Sequence, residues 1–228
     1  METPWARTEM LLGKKGIEKM SKARVAIFGI GGVGGYACEA LARTGIGKID
    51  LFDSDIVSQS NLNRQIIATI KTIGKLKVDV MKERLLEINP NLEVHTYPIF
   101  FSKENQNEYD FTNYTYIVDA IDTVDSKIAL ILKAQNEGIN IISSMGTGNK
   151  LNPTKLEVAD IYKTEVCPLA KKMRKELKQN GVKKLKVVYS NEEPIKTGEK
   201  VPGSIMIVPA TAGLIIAGEV IKEIINNV

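Results

Sequence analysis

Between Gly29 and Asp122 the sequence sets out glycines, carboxylates and cations in an order suited to holding a polyphosphate. Gly29, Gly31 and Gly34 have the spacing G-x-G-x-x-G, with Gly32 and Gly35 added. Glycines let the backbone turn tightly and approach a phosphate, and the free N–H groups of a following helix meet its oxygens. Asp53 stands about 20 residues beyond, where a carboxylate accepts from ribose hydroxyls. These parts would serve a nicotinamide enzyme as well as an ATP-using one. Arg64, Lys77 and Asp122 favour the second, because an adenylating site needs cations on the triphosphate and a carboxylate for Mg2+. A hydride-transferring enzyme usually adds an acid or base such as histidine. The lone histidine, His95, falls on an expected strand far from the other signals and reads as a solvent-facing residue.

The elements that would position these groups alternate in type. Residues 24–28 are a β-branched apolar run that stops at the glycines. A helical pattern over 33–44 and a strand over 48–52, ending at Asp53, complete a nucleotide-binding βαβ unit. Residues 56–66 form a polar loop that carries Arg64. Val78, Met81, Leu85 and Ile88 recur at helical steps, so a helix over 75–88 holds Lys77 in its first turns and stops before Asn89-Pro90. Strands over 92–97, 114–120 and 139–144 follow, with a helix over 124–136 that ends at Gly138 in the C′ position. Such alternation predicts a doubly wound parallel sheet, with ligands at the C-terminal strand ends. Gly29, Asp53, residues 119–122 and residues 143–148 then share one rim.

The ends of the chain read differently. Residues 1–21 look like a helical preface broken at Gly13 and Gly16, with Trp5 packed on the body. Beyond residue 150, strands over 156–162 and 185–189 flank a basic helix. Residues 190–204 read as a mobile polar loop, followed by a strand over 205–208 and a helix over 211–225. The expected fold is α/β, Rossmann-like and doubly wound, with a mainly parallel sheet and a C-terminal antiparallel and helical extension. One domain is expected over 1–228, its nucleotide part at about 22–150 and its substrate-facing part at about 151–228.

Composition narrows the classes further. The chain has 228 residues, 43% hydrophobic and 25% charged, which suits one soluble α/β domain. No apolar run reaches the length of a membrane span, and the N-terminus lacks a signal-peptide pattern, so a cytoplasmic location is expected. Cys38 and Cys167 are too few for a disulfide framework or a four-ligand zinc site, and both read as packed residues. The net charge is +4, and residues 171–186 concentrate positive charge, with Lys171, Lys172, Arg174 and Lys175 at its head. Such a block either contacts nucleic-acid phosphates or forms a solvated helix face.

GIGGVGG, LFDSDIVSQSNLNRQ, GKLKVDVMKERLLEINP and DAIDT occur in that order. Together they resemble the ubiquitin-activating-like adenylating superfamily, of ThiF type, over roughly residues 7–149. The resemblance implies Gly29, Gly31, Gly32 and Gly34 at the nucleotide backbone, Asp53 on the ribose with Asp55 beside it, and Asn61, Arg64 and Lys77 on the phosphates of ATP. It further implies Asp122 as the Mg2+ ligand, and a homodimer in which Arg7 reaches the neighbouring subunit's site. ALARTGIG, ISSMGTGNKLNPT, EVADIYKTEVCPLAKKMRKELK and LKVVYS are similar to the tRNA threonylcarbamoyladenosine dehydratases across nearly the whole chain. That likeness implies ATP-driven cyclisation of the threonylcarbamoyl group on tRNA, a tRNA surface on the basic helix, and a loop over 146–150 whose Asn149 and Lys150 contact substrate. An activator of a ubiquitin-like sulfur-carrier protein is the alternative, and sulfur-transfer proteins are a further partner class to weigh. The paired C-x-x-C motifs that many such activators carry are missing here.

Overall fold

A computed structural model gives the structure of residues 3–226. In chain order the elements are α1 (Ala6–Lys22), β1 (Arg24–Phe28), α2 (Gly34–Arg43), β2 (Lys48–Phe52), α3 (Lys77–Ile88), β3 (Glu93–Tyr97), β4 (Tyr116–Asp119), α4 (Val124–Asn136), β5 (Ile141–Ser144), β6 (Leu156–Asp160), α5 (Pro168–Gln179), β7 (Lys186–Ser190) and α6 (Ile207–Asn226). The seven strands form one sheet in the order β3-β2-β1-β4-β5-β7-β6. All neighbours are parallel except β6, which runs antiparallel to β7. Helices cover both faces: α2, α3 and α6 pack on Val25, Ile27, Leu51 and Val118, whereas α4 and α5 pack on Ala26, Phe28, Ile117 and Val187. Alternate residues of a strand thus enter opposite cores, and each parallel strand is apolar on both sides. The direction in which strands are added reverses between β1 and β4, where the order leaves 3-2-1 and begins 4-5; ligands settle outside the strand ends at such a switch point.

Local chemistry sets the element ends. Gly138, at φ +71, terminates α4 in the left-handed conformation expected of a C′ glycine. The preface helix is kinked at Gly13 alone, while Gly16 stays helical and packed near Ile225. Trp5 lies against Gly45, as its size and position suggest, and Met1 and Glu2 of that preface fall outside the described residues. No helix among the described residues is long and apolar enough to cross a membrane.

Two C-terminal expectations are corrected. The strand expected over 205–208 does not form, and α6 begins at Ile207 with Pro209 in its first turn, a place where a missing N–H costs nothing. Val208, Ala212, Ile216, Val220 and Ile224 are buried at helical spacing, so the helical period extends back through the β-branched run and overrides it. The loop at 190–204 is tethered rather than free. Lys150 Nζ donates to Ser190 O and Glu192 O at 2.8 and 2.9 Å. Glu192 accepts from Leu151 N and Asn152 N, and Gly203 N donates to Asn149 Oδ1 at 2.6 Å. These bonds bind the strap to the segment after β5 along its length.

Candidate functional site

A cavity of about 900 Å³ opens at the switch point, walled by the β1 glycine turn, the ends of β2 and β4, the polar loop before α3, and the strap. Gly29 sits at φ +90, and an added Cβ would lie 2.5 Å from Ala120 O. At Gly34 the same atom would lie 1.9 Å from Gly29 O, so this glycine lets α2 start directly against the turn. Gly31 faces open space, its nearest outside neighbour being Gln65 Nε2 at 3.9 Å from an added Cβ. Two glycines close the turn and the third exposes backbone at the start of a helix, the arrangement that binds anionic oxygens.

Asp53 follows β2 and is fixed by two backbone donors, Ile30 N to Oδ2 at 2.6 Å and Asp55 N to Oδ1 at 2.8 Å. Burial pushes its pKa above the ordinary carboxylate value, against the opposing pull of Lys77. Lys77 is buried in the first turn of α3, with Nζ 3.8 Å from Asp53 Oδ2 and 2.6 Å from Asp55 Oδ2. A cation on a helix N-terminus is electrostatically unfavourable by itself, and the two carboxylates hold it there. Arg64 Nη1 donates to Ser60 O at 2.8 Å and Asn63 Oδ1 at 2.9 Å, which locks the side chain and leaves further guanidinium donors for the cavity. Asp122 stands exposed on the rim after β4, with Thr123 Oγ1 donating to its Oδ1 at 3.3 Å. Among the described residues no group of three His, Cys, Asp or Glu side chains could hold a metal ion. One hard carboxylate beside a phosphate cradle still suits Mg2+, which is held through one or two carboxylates plus substrate phosphates.

Gly29, Gly31, Gly32, Asp53, Asp55, Arg64, Lys77 and Asp122 therefore meet around one cavity. Gly34 stands just behind it as a packing glycine. Other expected residues are placed elsewhere. Asn61 does not line the cavity; it is buried with its Oδ1 accepting from Ser58 N at 3.0 Å, so it shapes the loop that carries Arg64. Arg7 is exposed and lines no part of its own chain's cavity. His95 leaves the site as expected, but it is paired with buried Asp50 at 3.1 Å rather than simply solvated. Lys150, expected at the substrate, has its ammonium buried on Ser190 O and Glu192 O; burial pushes its pKa down. Asn149, expected there too, accepts from Gly203 N through its Oδ1, while Gly146, Thr147 and Gly148 of the same loop reach the cavity.

The basic helix divides in two. Lys171, Lys172 and Lys175 are exposed on α5, whereas Met173 and Leu177 pack inward. Arg174 belongs to the packed side, donating to Thr164 O at 2.8 Å and to its hydroxyl. Cys38 and Cys167 are buried, as their positions suggested.

Gln65 was not anticipated. It is buried on the cavity wall, and its Oε1 has no hydrogen-bond partner among the described residues. Its place beside Arg64 in the polar loop was the available signal, and it went unused because an amide carries no charge.

A doubly wound sheet with a glycine turn, a ribose-type carboxylate, a buried lysine and a half-buried arginine at its switch point defines a nucleotide-binding α/β protein. The ThiF family model matches residues 6–227, so the chain belongs to the ThiF family. It is 39% identical to the tRNA threonylcarbamoyladenosine dehydratase of Bacillus subtilis, across 98% of this chain and 95% of that protein. A second relative, the protein of the same name from Escherichia coli, is 42% identical over 76% of this chain and 65% of its own length. The crystal structure of E. coli tRNA N6-threonylcarbamoyladenosine dehydratase, TcdA, in complex with ATP superposes with a TM-score of 0.92 at 37% identity, covering 96% of this chain and 93% of that one.

Proposed function

We propose that this chain is an ATP-dependent tRNA threonylcarbamoyladenosine dehydratase. The observation that carries the reading is the convergence of Arg64, Lys77 and Asp122 on the glycine turn and Asp53, in a chain similar throughout to the B. subtilis relative of that name. A carboxylate oxygen of the threonylcarbamoyl group attacks the α-phosphorus of ATP, and pyrophosphate leaves. Gly31 backbone, Arg64 and Lys77 neutralise the charge that builds on the phosphates, the largest contribution such a site makes. The carbamoyl nitrogen on the adenine side then attacks the activated carbonyl carbon, closing a five-membered ring, and gives up its proton. AMP departs with the former carboxylate oxygen, so the net loss from the nucleoside is one water. Ring closure needs no thiol, because nucleophile and acyl group share one short chain and react at high effective concentration. Both cysteines are buried, which suits this route better than transfer of an activated carrier protein to a thiol.

Asp122 would hold Mg2+, which supplies charge neutralisation on the triphosphate when bound. Asp53 and Asp55 orient the ribose and Lys77, and Gln65 Oε1 is a further acceptor at the cavity. Lys171, Lys172 and Lys175 offer a cationic face beside Leu169 on the cavity wall, and they form the tRNA surface in this reading. The enzyme acts in the cytoplasm as a homodimer whose Arg7 serves the neighbouring site, within one domain whose nucleotide part spans 22–150. The test is incubation with ATP, Mg2+ and tRNA bearing threonylcarbamoyladenosine, followed by mass spectrometry of the digested nucleosides. A nucleoside lighter by one water is expected. An unchanged nucleoside, with pyrophosphate released only on addition of a small carrier protein with a free C-terminus, would replace this reading by the sulfur-carrier one.

A further inference from the structure

We infer that Asp119 and Lys127, neither of which lines the nucleotide cavity, are positioning residues for adenylation: their buried ion pair fixes the turn that carries Asp122. The inference rests on the adenylating function proposed above. Asp119 ends β4 and Lys127 lies in the first turns of α4, and both side chains have 0% exposure. Lys127 Nζ stands 2.8 Å from Asp119 Oδ2, and Ser143 Oγ on β5 donates to the same oxygen. The other contacts of the pair converge on one residue. Lys127 Nζ donates to Ile121 O at 3.0 Å, and Asp119 Oδ1 accepts from Ile121 N at 3.1 Å. Both backbone groups of Ile121 are thus held by the two charges. Ala120, Ile121 and Asp122 all line the cavity, and Ala120 O approaches Gly29 so closely that no Cβ fits between them. The pair therefore sets the spacing between the glycine turn and the Asp122 turn.

Stability alone does not account for such a pair. Two fully buried charges lose their hydration, and apolar residues of the same volume are often as stable or more so. What the charges add is a defined position for a three-residue turn that belongs to neither strand nor helix. Placement matters because a displacement of about 1 Å at a reacting centre can cost about a hundredfold in rate.

The experiment compares wild type with the double variant Asp119→Asn/Lys127→Met, which removes both charges together and orphans neither. Melting temperature, ATP dissociation constant and stoichiometry by calorimetry, and kcat for pyrophosphate release with modified tRNA are measured on each. The expected result is an ATP dissociation constant within about threefold of wild type at unchanged stoichiometry, with kcat lowered about tenfold or more. A wild-type kcat per ATP-binding site overturns the inference. A wild-type protein that binds ATP yet releases no pyrophosphate overturns the adenylating function instead. Should the double variant fail to fold, Lys127→Arg decides: it keeps the charge but reaches Ile121 O differently, so a lowered kcat at unchanged ATP affinity supports the positioning role and an unchanged kcat contradicts it.

Discussion

The two parts of the molecule are held in opposite ways. In the nucleotide part the backbone does most of the binding work: glycines set the turn, parallel strands end on one rim, and the charged side chains Asp53, Lys77 and Arg64 are pinned by short local bonds. From residue 149 onward the side chains hold the backbone. Lys150, Glu192 and Asn149 fasten the strap, and Arg174 fastens the approach to α5. The first part presents a site that any ATP-using relative needs. The second lines that site through Val201, Pro202, Gly203 and Ser204. Charge in the first part both lines the cavity, at Asp53, Arg64, Lys77 and Asp122, and fastens backbone, at Asp119 and Lys127; charge in the second is mostly fastening, with the exposed lysines of α5 as the exception.

That contrast breaks most sharply at Asp122. Asp122→Ala is expected to lower pyrophosphate release by about a hundredfold or more, the scale of losing a main electrostatic group, with an unchanged melting temperature. The side chain is exposed, so a large stability loss would place it in the fastening class instead. Lys150→Met sharpens the other half. It orphans the carbonyls of Ser190 and Glu192 and is expected to cost about 1–3 kcal/mol of stability in thermal or urea unfolding, with ATP affinity retained. Replacing Lys171, Lys172 and Lys175 together by Ala is expected to weaken tRNA binding by about tenfold and flatten its salt dependence, because fewer counterions are released. Arg174→Ala should instead lower the melting temperature, since its guanidinium is committed to Thr164.

Two smaller effects follow from titration. Burial raises the Asp53 pKa, so its protonation, and the loosening of Lys77 that goes with it, begins at a higher pH than for an ordinary carboxylate. ATP affinity measured against pH should therefore fall on acidification before free carboxylates titrate, and Asp53→Asn should remove that limb. At Glu192 the sign is reversed. The backbone N–H groups of Leu151 and Asn152 hold its pKa below the usual value, so its contribution is complete above the unfolded-state pKa and is lost as pH falls through the lower folded one. Hydrogen exchange of the Leu151 and Asn152 amides should accelerate only in that acidic window, and not in Glu192→Gln.

Legibility in the sequence follows the same division. The strands at 24–28 and 48–52 and the helix at 124–136 were readable to the residue, because period and punctuation agree there: β-branched runs stop at glycine or aspartate, and α4 closes on Gly138. Asp53 and Asp122 were readable as neighbours because topology alone puts strand ends on one rim, and Arg64 and Lys77 because they stand in the loop and helix start that follow β2. The anchoring of Lys150 and Asn149 was not legible, because a cation and an amide beside a glycine loop look the same whether they face a substrate or the backbone of a segment 40 or more residues away. The strand at 205–208 was misread because four apolar residues fit either period, and only the packing of α6 on α2 decides between them. Lys127 gave no signal, since its partner Asp119 becomes adjacent only through the β4–α4 turn.

The central claim is that the substrate carboxylate is activated at the α-phosphorus of ATP and that its oxygen leaves with AMP. It is tested most directly with tRNA whose threonylcarbamoyl carboxylate is labelled with heavy oxygen, turned over by the enzyme with ATP and Mg2+, and followed by mass spectrometry of the nucleotide products. The predicted result is one labelled oxygen in AMP for each ring closed, with unlabelled pyrophosphate. Label in inorganic phosphate with ADP as the other product would place the attack at the terminal phosphorus and contradict the account.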